Sequence, residues 1–175
     1  GEIRDKETAE VAIHASLTGH LVFSTLHTND SVGAVTRLVE MGIEPFLISS
    51  SLVGVMAQRL VRKICSHCAE PKNFDSALLR EVGLLGEDLS TAPPNLTHGK
   101  GCPVCYHTGY RGRSGIFEVL EVNEEMRELM NSRNDATALK AAARRNGMRT
   151  LLEDGGLKVA AGKTTPEEVL RIVQA

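Results

Sequence analysis

Apolar positions recur along this chain in helical register, interrupted by short continuous apolar runs. Ala9, Ile13 and Leu17 share one face at i, i+4 spacing behind Asp5, a capping residue with Glu7 in the first turn, and Gly19 marks the stop. His20 to Leu26 has little alternation, which predicts a strand covered on both faces, as in a parallel sheet. Asn29, Asp30 and Ser31 then offer caps for a helix carrying Val32, Val35 and Val39 in line and ending at Gly42. Pro45 starts a third helix, expected to run to about Gln58 and, being apolar on most sides, to lie centrally. Arg59 to Cys65 and Gly112 to Val122 alternate as strands, and Phe74 to Leu85 is expected to be helical. Thr91 to Gly101, with Pro93, Pro94, Gly99 and Gly101, reads as a loop in which flexibility concentrates. The rest is helical: Asn123 caps a segment with Met126, Leu129 and Met130, Asp135 caps one ending near Gly147, and Thr150 to Ala161 forms another. Thr165-Pro166-Glu167-Glu168 starts the last helix with a capping box and Pro at its first position. Helix followed by buried strand indicates an α/β fold.

Length and charge narrow the function classes. At 175 residues the chain can bury a core without a metal or a disulfide, as one main domain with small appendages. Its formal net charge is −2, and two Tyr, four Phe and no Trp offer few stacking platforms, which argues against a nucleic-acid binder. The longest apolar stretch, Phe46 to Ala57, is broken by Ser49, Ser50 and Ser51 and is too short to span a bilayer, so no transmembrane segment is expected. The chain opens on Gly1 rather than Met, the expectation being a fragment of something larger.

All four cysteines fall in two C-x-x-C knuckles, Cys65-Ser66-His67-Cys68 and Cys102-Pro103-Val104-Cys105. Four thiolates offered in pairs on tight turns suit a structural, tetrahedral Zn2+ with no open position. Two disulfides or a redox C-x-x-C are the alternatives, but the chain has neither a secretory signal nor a thioredoxin-like strand-CxxC-helix context. Reduced, paired cysteines point to the cytosol. Residues 69 to 101 exceed the interval usual in small zinc ribbons, so the helix at Phe74 to Leu85 is needed between the knuckles. Because four cysteines complete the shell, His67 and His107 are expected to be exposed neighbours rather than ligands.

Gly1-Glu2-Ile3-Arg4-Asp5 sets a carboxylate just before a helix, and His27-Thr28-Asn29 forms a polar cluster at the end of the following buried strand. In open α/β sheets that edge is where ligands lie. Taken alone, the first cluster reads rather as solvated charge with Asp5 as a cap.

The combination of GEIRD, TGHLVFSTLHTND, GIEPFLISSSLVGVMAQRLVR, the two knuckles and GYRGRSGIFEVL resembles the C-terminal part of the type II secretion and type IV pilus assembly ATPases, in the family's order and over essentially the whole chain. The resemblance implies a partial RecA-like P-loop NTPase core, with a four-cysteine zinc-binding insertion and C-terminal helices. It implies a core half over 1–64, a zinc subdomain over 65–111 and a C-terminal strand and helical subdomain over 112–175. It also implies a homohexameric motor that hydrolyses ATP with Mg2+ on the cytoplasmic face of the inner membrane, working through platform and recruiting proteins.

By this resemblance Glu2 is the Walker B glutamate that orients the attacking water, with Arg4 as its charge partner. His20 and His27 match the histidine box, His27 being the candidate for sensing the γ-phosphate. His20 has the alternative of a buried, hydrogen-bonded structural histidine, and Thr28 and Asn29 either position His27 or form an ordinary turn. Arg59 either reaches nucleotide or a neighbouring subunit, or packs against the last core strand. The departure from the family is the missing phosphate-binding loop. Gly162-Lys163-Thr164 imitates its end, but G-x-x-x-x-G-K-[ST] requires Gly where Leu157 stands. A chain without that loop is expected not to hydrolyse ATP by itself. Two rival readings are a zinc-ribbon interaction module without catalysis and a zinc-dependent nucleic-acid binder. Retraction ATPases of pili fit less well because, as a group, they lack the four-cysteine insertion.

Overall fold

The computed structural model describes residues 1–85, 96–132 and 135–174. The residues form two compact units, each assembled from two separate stretches: 1–57 with 118–148, and 58–117 with 149–175. The strands β1 (Gly54–Ile64) and β4 (Tyr110–Glu121) pair as a two-stranded sheet, and each contributes residues to both units.

The first unit is built on helices α1 (Lys6–Leu17), α2 (Ser31–Glu40), α3 (Pro45–Ser51), α5 (Glu124–Ser132) and α6 (Ala136–Arg145). Local capping chemistry sets their starts: Asp5 accepts from Thr8 N, Asp30 from Gly33 N, Asn123 from Met126 N and Asp135 from Thr137 N. Gly19 and Gly42 end α1 and α2 with positive φ, as a left-handed terminus requires. The core gathers Ile13, Val35, Ile48, Leu120, Met126 and Leu139, among others, from both stretches of the unit.

Three expectations fail here. Leu17 does not join Ala9 and Ile13 in the core but is exposed. The third helix stops at Ser51, and Gly54 already opens β1. Ser49 and Ser50 both donate to Phe46 O and Ser51 donates to Leu47 O, a competition that weakens helix continuation, after which the β-branched Val53 and Val55 favour an extended chain. The run His20–Leu26 is not a covered strand. It makes a single parallel bridge, Thr25 to Glu2, and Leu21 and Phe23 stand exposed, because among the described residues no other strand flanks it.

The second unit carries the four cysteines, the short antiparallel pair β2 (Ala69–Pro71) and β3 (Thr97–Gly99), and helices α4 (Ser76–Glu81), α7 (Leu151–Ala160) and α8 (Pro166–Val173). Between the knuckles the helix exists but is confined to six residues, capped by Asp75. Within the expected loop Thr91 to Gly101, residues 97–99 are strand β3, while 91–95 lie outside the described residues. Thr150 and Glu153 complete a capping box on α7. At α8 only half of the expected box forms. Thr165 Oγ1 accepts from Glu168 N, but the Glu168 carboxylate instead receives Arg62 N at 3.0 Å, Arg62 Nη2 at 2.7 Å, and Arg171 Nε and Nη2 at 2.9 and 2.8 Å. Tyr110 extends this network, lying 4.2 Å under the Arg62 guanidinium and bonding Thr165 Oγ1 at 2.8 Å.

Two adjacent glycines inside α7 serve packing. A Cβ on Gly155 would run into the Val169 side chain of α8, and one on Gly156 would run into the backbone carbonyl of Val82 at the end of α4. The intrinsic loss of helix propensity, about 1 kcal/mol per Gly, is set against close approach of three helical segments.

Candidate functional site

The two bridged segments put Glu2, Arg4 and His27 together. Ile3 N donates to Thr25 O at 2.9 Å, which fixes Glu2 beside the start of the loop that carries His27. His27 Nε2 lies 2.7 Å from Glu2 Oε1, and Arg4 reaches Glu2 Oε2 with Nη2 at 2.6 Å and Nε at 2.8 Å. The hydrogen bond from Arg4 holds the Glu2 carboxyl below its usual range, against a smaller opposing effect of desolvation, and the Arg4 and His27 charges add to the lowering. Glu2 is therefore a carboxylate at neutral pH, able to accept a proton or orient water. The His27 side chain is 90% exposed, so one face of the pair is open to a ligand.

Thr28 turns back to Asp30, its Oγ1 donating to the Asp30 carbonyl at 3.0 Å, while Asn29 is exposed at the bend before α2. His20 is hydrogen-bonded but not buried. It sits at the C-terminal end of α1 with Nδ1 3.3 Å from Ala15 O and 3.2 Å from Thr18 Oγ1, and does not join Glu2 and His27. Its neighbours on the sequence, Gly19 and Leu21, are exposed as well, and among the described residues no covered sheet buries it. Arg59 belongs to the second unit, where its Nη1 donates to Gln58 O at 3.1 Å.

The cysteine cluster is built by backbone geometry. Each knuckle closes with an i to i+3 bond, Cys68 N to Cys65 O at 3.2 Å and Cys105 N to Cys102 O at 3.1 Å. The second continues through Tyr106 and His107, both in the left-handed region. Gly99 and Gly109 let the two chain segments touch backbone to backbone, since a Cβ on either would collide with the other's carbonyl. The four sulfurs lie within 4.8 Å of one another, with Cys65–Cys102 at 4.0 Å, Cys68–Cys105 at 3.8 Å and Cys102–Cys105 at 3.7 Å. These separations exclude disulfides, whose bond is about 2.05 Å. They match the edge of a tetrahedron with zinc–sulfur bonds of about 2.3 Å, roughly 3.8 Å. Gly101 N and Cys102 N also donate to Cys68 and Cys105 sulfurs, at 3.3 and 3.2 Å. Desolvation pushes the Cys68 thiol up to about 12, whereas backbone N–H groups of Cys102 and Gly109 outweigh desolvation at Cys105 and draw it down to about 6. A dication held among four such sulfurs would favour their thiolate form. His67 and His107 are exposed, as expected of non-ligands.

Sequence reasoning passed over one buried carboxylate in the first unit. Glu118 accepts from Ser31 N at 2.9 Å and from Ser31 Oγ at 2.5 Å, at the first residue of α2. The period-2 pattern of β4 contained the signal, because Glu118 falls on the same face as Ile116 and Leu120, both fully buried.

The sequence profile of the type II/IV secretion system protein family matches residues 1–171. The chain is 53% identical to a type II secretion system protein E of Pseudomonas aeruginosa over 99% of its length, and 52% identical to the type IV pilus assembly ATPase PilB of Thermus thermophilus over 97%. It spans 34% of the first and 19% of the second. Among solved structures, the pilus retraction motor PilT with bound ADP superposes with a TM-score of 0.63 at 24% identity, covering 98% of this chain and 37% of that one. The Legionella pneumophila ATPase DotB does so with a TM-score of 0.63 at 21% identity, covering 97% and 36%. The fold is thus the α/β, partial RecA-like core with a four-cysteine insertion and C-terminal helices. The chain belongs to the type II/IV secretion system protein family.

Proposed function

We propose that these residues form the water-orienting and phosphate-sensing part of a motor ATPase that powers type II secretion or type IV pilus assembly. The observation that carries this reading is the Glu2–His27 contact of 2.7 Å at the ends of two bridged segments, with His27 open to solvent. Glu2 accepts a hydrogen bond from the attacking water, Arg4 keeps Glu2 charged, and His27 donates to the terminal phosphate and so distinguishes ATP from ADP. Thr28 and Asn29 shape the loop. In the assembled motor His20 contributes to the nucleotide site, and Arg59 reaches nucleotide or a neighbouring subunit. The phosphate cradle and magnesium site come from outside these 175 residues, which contain no G-x-x-x-x-G-K-[ST] motif, and this chain alone does not turn over ATP.

The motor works as a homohexamer on the cytoplasmic side, joined to the inner membrane by its platform and recruiting partners. Among the described residues no helix is long and apolar enough to cross a membrane. Cys65, Cys68, Cys102 and Cys105 hold one Zn2+, whose contribution is to cross-link the second unit. In the full-length oligomer, Glu2→Gln keeps nucleotide affinity and lowers turnover by about 10²-fold or more. His27→Ala reduces the preference for ATP over ADP. Near-normal hydrolysis by Glu2→Gln would remove the assignment.

A further inference from the structure

Glu118 is a buried carboxylate, 2% exposed, that the ATPase reading does not use. Among the described residues its hydrogen bonds both come from Ser31, itself completely buried: the backbone N–H at 2.9 Å and the hydroxyl at 2.5 Å. A buried acid without a cationic partner is unfavourable unless strong donors meet it, and the N-terminus of a helix provides them together with the positive end of its dipole. Ser31 is the first residue of α2, next to its cap Asp30.

The segment held in this way is the one that carries His27. Its near end is fixed where Ile3 N bonds Thr25 O. At the far end Asp30 caps Gly33 N at 2.8 Å and receives Lys140 Nζ from α6 at 3.0 Å, and Thr28 Oγ1 bonds Asp30 O. Residues 26 to 29 bridge the two anchors, so any displacement of the first turn of α2 is passed to His27 through a short tether. Asp30 is pinned at the surface by a half-exposed lysine, whereas Ser31 is pinned in the core.

We propose that Glu118 is a positioning residue for ATP hydrolysis: by holding Ser31 it sets where the first turn of α2 begins and so keeps His27 against Glu2. The inference rests on the role assigned to His27 above. Glu118→Gln retains shape and one acceptor oxygen but weakens both bonds, because the charge is gone. Ser31→Ala deletes the hydroxyl bond and leaves the N–H bond in place.

The test is a double-mutant cycle in the full-length oligomer, with kcat, preference for ATP over ADP and thermal midpoint measured for each protein. A misplacement of the sensor loop should lower kcat about tenfold in Glu118→Gln and reduce its preference for ATP over ADP, in the direction of His27→Ala, with smaller effects in Ser31→Ala. In a His27→Ala background the Glu118→Gln loss should vanish. An unchanged kcat in Glu118→Gln, or losses that multiply in the double variant, would overturn the proposal while leaving His27 as the sensor. If His27→Ala alone leaves hydrolysis and nucleotide preference untouched, the site reading falls and this proposal falls with it. Should Glu118→Gln lower the thermal midpoint so far that it does not assemble, Ser31→Ala in the same cycle decides between coupled and multiplying losses.

Discussion

Replacing Glu168 by Gln removes the charge at which the second unit concentrates its hydrogen bonds. The carboxylate receives four N–H groups from Arg62 and Arg171, and its side chain has 0% exposure, so water does not substitute for lost partners. Desolvation alone would raise the carboxyl pKa, but the bonds from Arg171 and Arg62 prevail and hold it at about 2 instead of 4.5. Such a fall is equivalent to about 3 kcal/mol in favour of the charged form. Both arginines are about half exposed, at 45% and 55%, so solvent screening reduces the net contribution to about 1–2 kcal/mol. Turning an acceptor oxygen into an NH2 group facing guanidinium donors adds roughly 1 kcal/mol more. The expected destabilisation at pH 7 is therefore about 2–3 kcal/mol. Because the folded-state pKa lies below the unfolded one, this stabilisation is complete above pH 4.5 and is lost as pH falls toward 2. The difference between the two proteins should accordingly shrink below pH 4.5. Hydrogen exchange at the Arg62 amide and along α8, followed at pH 7, 4 and 3, reads it locally. Equal protection in both proteins at pH 7, or a difference that persists unchanged at pH 3, would refute the reasoning.

Gly156→Ala should destabilise despite the better helix former, since the propensity gain is about 1 kcal/mol and the clash is with the Val82 backbone carbonyl, which has no rotamer to escape into. A higher thermal midpoint would show the packing argument to be wrong. Protein purified without added metal should contain one zinc per chain, and Cys102→Ser should lower this to less than about half an equivalent by elemental analysis. The same variant should raise hydrogen exchange between Cys65 and Ile116 while leaving α1, α2 and α5 as protected as before.

Local chemistry was legible in the sequence wherever one residue decides. Asp5, Asp30, Asn123 and Asp135 cap the helices they precede because the cap needs only an N–H two or three residues on. Thr165 was read correctly as a cap, but its partner Glu168 was not, since a charged group 106 residues away outbids the local N–H. The boundary between α3 and β1 was missed because a continuous apolar run has no period to tell helix from strand. His20 to Leu26 has the composition of a buried strand, and composition does not state whether neighbouring strands are present to cover it. At the site, the spacing of the cysteines was sufficient to foresee the sulfur cluster. The Glu2–His27 contact could be anticipated only through the motif resemblance, and the Glu118–Ser31 link, 87 residues apart in sequence, not at all.

The interleaving of the two units constrains the order in which the chain can mature during synthesis. Residues 1–57 lack Leu120, Val122, Met126 and Met130, which complete their core, until the whole cysteine-bearing stretch has emerged. At about 5–20 residues per second, the intervening stretch delays that closure by several seconds. In the interval the apolar faces of α1, α2 and α3 have no finished core to enter, while the thiols are already present and able to capture metal. The four sulfur ligands, the last of them Cys105, are thus complete in the growing chain before the residues that close the first unit.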